Sequence, residues 1–423
     1  MIQKNNSAIR FDNLGIASKL LEIIQQNNFI TPTPIQHQCI PIALQDKDIV
    51  GIAQTGTGKT LAFGLPMIQR LSFLKGQGLI LLPTRELALQ VDEVLNQVGR
   101  SFGLKTAVLI GGASMNQQIQ SLRRNPHIIV ATPGRMIDHL NQKIISLQNI
   151  KIIVLDEADR MLDIGFMPQI VEILKTAPKE RQTMMFSATM PQSISTLATR
   201  FMKMPLRIEV APAGTPAVNV EQEIFFTPKE LKIALLEKIL KENNGQVLVF
   251  SRTKYGAKRI ANNLRNSGYQ AVEIHSDRTL AQRRNAMDGF KSGRYRILVA
   301  TDIAARGIDV NDIATVINYD LPGNSEDYVH RIGRTGRAGK SGKAISFATP
   351  DQRKDILQIE RLIKKSIPVS ALPPLQQANQ GTKINMWQKE EKTNQRKRIN
   401  KNDFFSFRRK KQNPKRKRYG IIN

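Results

Sequence analysis

The sequence predicts an α/β protein of two tandem domains with parallel sheets, followed by a basic tail that has no structure of its own. Three observations predict it. Short, near-continuous apolar runs alternate with amphipathic helical stretches, the alternation happens twice, and the text after about residue 370 turns polar and strongly charged. Apolar strands set between helices belong to parallel sheets covered on both faces.

The first series comprises Ile49–Ile52, Gly78–Leu82, His127–Val130, Ile152–Leu155 and Thr183–Phe186. The second comprises Val247–Phe250, Ile297–Ala300, Thr315–Asn318 and Ala344–Phe347. Between them, Ala211–Ala217 has the small residues and prolines of a linker. The expected domains are therefore residues 1–208 and 219–370, joined by 209–218, with 371–423 as the tail. Residues 381–423 carry 15 Lys+Arg against 3 Asp+Glu, a composition that stays disordered when alone.

A chain of 423 residues is too long for one core and suits two domains with an appendage. Its 41% hydrophobic content supplies those cores. The 63 Lys+Arg against 35 Asp+Glu give a net charge of +28, which points to a polyanionic partner, nucleic acid or an anionic surface, ahead of solubility alone. The single cysteine, Cys39, excludes an intrachain disulfide and a cysteine-based metal site; its apolar surroundings suggest a buried thiol. Met1–Phe11 lacks the apolar core of a signal peptide, and no run approaches the roughly 18 apolar residues of a membrane span. The expectation is a soluble cytoplasmic protein without membrane contact.

Ala53-Gln54-Thr55-Gly56-Thr57-Gly58-Lys59-Thr60 lies between a strand and a helical run, the setting a P-loop requires. Glycines let backbone N–H groups turn toward phosphate oxygens, and the helix N-terminus adds its dipole. Lys59 would reach the β and γ phosphates of ATP, and the Thr60 hydroxyl would bind Mg²⁺. Ala53 stands where the general pattern has glycine. About a hundred residues on, Ile152–Leu155 delivers Asp156-Glu157-Ala158-Asp159 at a strand's C-terminal end, where open α/β sheets bind ligands. Asp156 is expected to hold Mg²⁺ through water, and Glu157 to orient and deprotonate the attacking water. Acidic residues after a strand are often only a helix cap, and it is the pairing with the P-loop that gives these two meaning.

Asp156-Glu157-Ala158-Asp159 spells the motif of the DEAD-box RNA helicases, and the chain resembles that family over about residues 11–340, most of all its bacterial RhlE-type branch. The resemblance implies two RecA-like P-loop domains, RNA as partner and ATP hydrolysis with Mg²⁺. Phe29-Ile30-Thr31-Pro32-Thr33-Pro34-Ile35-Gln36 resembles the family's adenine-reading block, with Phe11 as its upstream aromatic and Asn28 replacing the usual glycine. Gln36 would read the adenine edge and Phe29 would stack on the base.

Pro83, Thr84, Arg85, Gly112, Thr132, Pro133, Gly134 and Arg135 match the RNA-backbone blocks of the first domain. Arg252, Thr301 and Gly307 match those of the second, and Asp309 the ribose contact. Ser187, Thr189, Arg283, His330 and Arg331 match residues that couple the domains; Arg334 and Arg337 match the paired arginine fingers aimed at the γ-phosphate. One departure stands out: Leu280 occupies the family's glutamine position in His275–Arg283, with Ser276 for glycine, which would weaken interdomain contact unless Gln282 compensates.

The implied function is an ATP-dependent RNA helicase that binds RNA backbone and locally separates short duplexes or remodels RNA–protein complexes. It is expected to act as a monomer, with ribosomal or RNA-decay assemblies as compatible partners. The alternatives are a DNA-acting relative and a slow-turnover, ATP-gated RNA clamp or assembly platform. In the tail, Phe404–Lys411 and Lys415–Tyr419 interleave aromatic and basic residues, suiting stacking plus phosphate contact with RNA; a nuclear signal or membrane-surface patch is the other reading.

Overall fold

The computed structural model describes residues 10–54, 56–210, 220–305, 313–336 and 341–375. Thr55, Gly307, Asp309, Arg337, the linker run 211–217 and the tail 381–423 lie outside the described residues.

The first sheet contains β1 (Ile49–Ile52), β2 (Gln77–Leu81), β3 (Thr106–Leu109), β4 (Ile128–Ala131), β5 (Ile150–Leu155), β6 (Gln182–Ser187) and β7 (Leu206–Glu209). All its pairs are parallel, in the order β3-β4-β2-β5-β6-β1-β7. Alternate residues serve opposite faces: Ile80, Val130 and Val154 join one core cluster, while Leu79, Ile129 and Ile153 join the other. Both faces are thus covered by helices, as the uninterrupted apolar strands require.

The second sheet contains β8 (Val220–Phe226), β9 (Val247–Phe250), β10 (Ala271–Ile274), β11 (Ile297–Ala300), β12 (Thr315–Asn318) and β13 (Gly342–Ala348), also parallel, in the order β10-β11-β9-β12-β13-β8. Its edge strand β8 is sealed by the segment after the last helix. Ile224 donates its N–H to Pro368 O (2.9 Å), and Ser370 returns a bond to Ile224 O (2.8 Å). That removes an unpaired strand edge.

These orders decide where chemistry can sit. β5, β6 and β1 are neighbours, so the turns after Leu155, Ser187 and Ile52 share one end of the sheet. β3, β4 and β2 bring the turns after Leu109, Ala131 and Leu81 together beside them. Cys39 is buried in the first core, and burial pushes its thiol up to about 12, which leaves it unreactive. Among the described residues no helix is long and apolar enough to cross a membrane.

Candidate functional site

The loop after β1 turns through two left-handed glycines, Gly56 (φ 86°) and Gly58 (φ 89°). At Gly58 a side chain is excluded twice over: a Cβ there would also lie 2.4 Å from Gln36 Nε2. Thr57 pins the loop by donating its hydroxyl to Gln54 O (2.7 Å). Lys59 opens the helix Lys59–Leu71, with Thr60 next to it in the first turn. The Lys59 ammonium, 6% exposed, donates to Ala53 O (3.2 Å) and lies 3.7 Å from Asp156 Oδ1.

Gln36 stands in the first turn of the helix Pro34–Leu44. Its Oε1 accepts from Thr33 N (2.8 Å), capping that helix, and its Nε2 donates to Gly58 O (3.0 Å), so the carboxamide is tied directly to the phosphate loop. Asn28 takes a left-handed conformation (φ 62°), which explains why asparagine can replace glycine there. Phe29 is half-buried against the first core and Thr31 is exposed. Phe11 departs from expectation: it is 2% exposed inside that core, so its ring braces the block and presents no face to a ligand.

After β5, Asp156 and Glu157 are 3% and 2% exposed. Asp156 Oδ1 accepts from Glu157 N (2.9 Å). Burial pushes the Asp156 carboxyl up to about 6; Lys59 opposes the shift and Glu157 adds to it. Glu157 sits in the left-handed region (φ 51°, ψ 50°), a strained backbone for a residue with a side chain. Arg160, fully buried, brings Nη1 to 3.5 Å from Glu157 Oε2. Sequence reasoning missed Arg160, although its place one helical turn after Glu157 was a usable signal.

Asp159 ties this string to the turn after β6. Its Oδ2 accepts from Ala188 N (3.0 Å), Thr189 N (2.8 Å) and Thr189 Oγ1 (3.0 Å), and its own N–H donates to Ser187 Oγ (3.2 Å).

Beside these strands, Pro83, Thr84, Arg85, Thr132, Gly134 and Arg135 line one cavity of about 410 Å³, together with Ser276, Arg283 and Ala304 of the second domain. Thr84 caps the helix Arg85–Gly99 through Leu87 N (3.3 Å), and Pro133 opens the helix Pro133–Asn141. The Arg85 guanidinium lies over Gly111 and Gly112; a Cβ on Gly112 (φ 77°) would sit 2.4 Å from its Nη1. Arg135 donates to Ala113 O (3.2 Å) and pairs with Asp138 (3.3 Å). Ile164 and Phe166 also line the cavity and carried no sequence signal.

In the second domain Arg252 is exposed, with its guanidinium anchored on Leu321 O (3.1 Å), and Thr301 N donates to Ile274 O (3.3 Å). Arg283 crosses to the first domain, placing Nη2 2.9 Å from Glu86 Oε2. His330 and Arg334 share a small cavity with Arg160, and burial followed by Arg160 pushes His330 down to about 3. Arg334, 4% exposed, donates from Nε to His330 O (3.3 Å). Arg331 corrects its expectation. It does not bridge the domains: its guanidinium grips Asp302 with both arms (2.5 and 2.7 Å), donates to Asn318 Oδ1 and Asp320 O, and packs on Phe250, all within the second domain. Gln282, the alternative considered for offsetting Leu280, accepts from Thr279 N (3.0 Å) and caps its own helix.

Comparison with known proteins matches the DEAD/DEAH box helicase family over residues 33–197 and the helicase conserved C-terminal domain over 231–339. The chain is 42% identical over 376 residues to the DEAD-box ATP-dependent RNA helicase CshA of Bacillus subtilis, covering 88% of this chain and 76% of that one. It is 42% identical over 367 residues to the ATP-dependent rRNA helicase RRP3 of Debaryomyces hansenii, covering 86% and 77%. Among solved structures it resembles S. cerevisiae Dbp5 bound to RNA and ADP BeF3, at TM-score 0.77 and 31% identity over 86% of this chain and 96% of that one.

Proposed function

Because the chain belongs to the DEAD-box helicase family, we infer that it is an RNA-stimulated ATPase that binds RNA backbone and locally separates short duplexes or remodels RNA–protein complexes. The observation that carries this reading is the convergence of Lys59, Asp156 and Glu157 at the end of β1, β5 and β6, wired through Asp159 to the turn at Ser187–Thr189. A phosphate-handling site alone would suit many ATPases. The adjoining cavity, lined by hydroxyls, glycines and arginines from both domains, supports a phosphodiester strand as the second ligand.

In this mechanism water attacks the γ-phosphorus of ATP and the bond to the bridging oxygen breaks, giving ADP and phosphate. Glu157 accepts the water's proton. Lys59 holds the β and γ phosphates, and Arg334 with Arg337 offsets charge developing on the transferred group. Mg²⁺ suits the donor set: Thr60 and the buried Asp156 offer hard oxygen ligands, and when bound the ion would neutralise phosphate charge. Gln36 reads adenine, Phe29 supplies an adjacent ring, Phe11 supports the block from beneath, and Asp309 takes the ribose.

Pro83, Thr84, Arg85, Gly112, Thr132–Arg135, Arg252, Thr301 and Gly307 hold successive phosphates and sugars. Contacts to the backbone make binding tolerant of sequence, and 2′-hydroxyls favour RNA over DNA. Arg283 and His330 couple the two ligands by joining the domains, Ser187 and Thr189 by tying the turn after β6 to Asp159, and Arg331 acts indirectly by fixing Asp302. The protein works as a cytoplasmic monomer, and its tail adds salt-sensitive affinity for structured RNA in ribosomal or RNA-decay assemblies. Membership of the RhlE-type branch rests on motif likeness, whereas the bacterial relative above is a CshA helicase.

Steady-state ATP hydrolysis with and without RNA, for the parent chain and Glu157→Gln, tests the reading. Strong stimulation by RNA that the substitution abolishes supports it; ATP and RNA binding without stimulated turnover would replace it with a clamp.

A further inference from the structure

We propose that Leu280 is the apolar half of a latch between the two domains, standing beside the ionic half formed by Arg283 and Glu86. The proposal rests on the helicase reading above and assigns a positioning residue to it. The helix Leu280–Lys291 is fixed at its start by a reciprocal cap, in which Thr279 Oγ1 accepts from Gln282 N (3.2 Å) and Gln282 Oε1 accepts from Thr279 N (3.0 Å). Leu280 and Arg283 are three residues apart and share one face of that helix.

That face meets the first domain. Arg283, 7% exposed, pairs with Glu86 at 2.9 Å, while half-buried Leu280 packs against the apolar core of the first domain. Leu280, Ile274 and Met287 from one side and Leu89 from the other line a cavity of about 530 Å³ between the helices. Leu89 is 36% exposed, an apolar side chain at the helix surface next to the leucine that replaces a glutamine. The family position that would carry a hydrogen bond here carries an apolar contact instead.

The exchange has a physical signature. An apolar contact is not weakened by salt and loses strength on cooling, whereas an ion pair is screened by salt. RNA backbone contacts also fade with salt, so the leucine keeps the domains together under conditions that loosen the other holds.

The experiment measures the RNA concentration giving half-maximal ATPase stimulation for the full chain and for Leu280→Ala, Leu280→Gln and Leu280→Met, at low and high salt. Leu280→Ala raises that concentration about fivefold at either salt, with kcat, RNA-free ATP binding and melting temperature close to the parent's. Leu280→Gln approaches the parent at low salt only, and Leu280→Met matches it throughout. The latch is overturned if Leu280→Ala leaves half-saturation unchanged in an RNA-stimulated parent, or if it lowers melting temperature and ATP binding together, as packing within one domain would. A parent that RNA does not stimulate overturns the helicase reading itself, and the latch with it.

Discussion

Thr189 is bound twice to one oxygen of Asp159: its backbone N–H and its hydroxyl reach Oδ2 at 2.8 and 3.0 Å. Asp159 lies two residues beyond Glu157, so the proposed coupling between the nucleotide and the turn after β6 would run through this carboxylate. Thr189→Ala removes the hydroxyl and keeps the backbone bond. Duplex separation is expected to fall about tenfold while RNA-stimulated ATP hydrolysis falls less than about twofold. Equal losses in the two assays would mean that the contact serves hydrolysis itself.

Arg331 and Arg334 are neighbours with opposite duties. Arg331 is bound by Asp302, Asn318 and Asp320, so Arg331→Leu leaves a half-buried carboxylate and the buried Asn318 Oδ1 without their donor and costs about 2 kcal/mol of stability, read as a lower melting temperature. Arg334→Lys is expected to melt close to the parent while RNA-stimulated turnover drops about 10³-fold.

His330 gives the protein a pH dependence whose sign follows from its surroundings. Burial and the Arg160 and Arg334 guanidiniums push it from 6.5 to about 3; Asp159 and Glu157 pull the other way and lose. The joined domains therefore require neutral imidazole. Their stability is complete above about 6.5 and is lost as pH falls below it, because a separated His330 binds the proton more readily. Half-saturating RNA should rise between pH 7.5 and 5.5 by about tenfold, and His330→Gln should flatten that profile.

Gly58→Ala forces a Cβ into Gln36 Nε2 on a left-handed backbone. ATP affinity is expected to fall more than about tenfold in equilibrium binding, with the melting temperature lowered by only a few degrees. Gln36→Ala should weaken binding by a similar factor for a different reason. One N–H of its carboxamide already holds Gly58 O, so the group that would read adenine also steadies the phosphate loop. A mutant that lost base selectivity but kept the parent's affinity would break that connection.

Much of this site was readable in the sequence because its signals are local. A strand, a glycine turn and a helix within a dozen residues define the phosphate loop, and Ile152–Leu155 followed by acids defines the catalytic strand. What escaped depends on partners distant in sequence. Phe11 reads as a ligand aromatic until the core that swallows it is known, and Gln282 reads as a free carboxamide until its own helix claims it. Arg331 looks like its neighbour Arg334, and only Asp302 opposite shows that it points inward. The missed strands β3, β7, β8 and β10 are the four sheet edges, and charged residues such as Arg207, Glu221 and Glu273 interrupt the apolar run in three of them.

The left-handed backbone at Glu157 survives because its side chain has a buried partner. Glycine would adopt that conformation at no steric cost, yet losing the carboxylate would strand the fully buried Arg160, whose Nη1 lies 3.5 Å from Glu157 Oε2. A search for hardier variants that scores only survival on heating therefore finds no easy exit at this position: relief of the turn and abandonment of the guanidinium come together, and the strained residue is kept even where turnover is not selected.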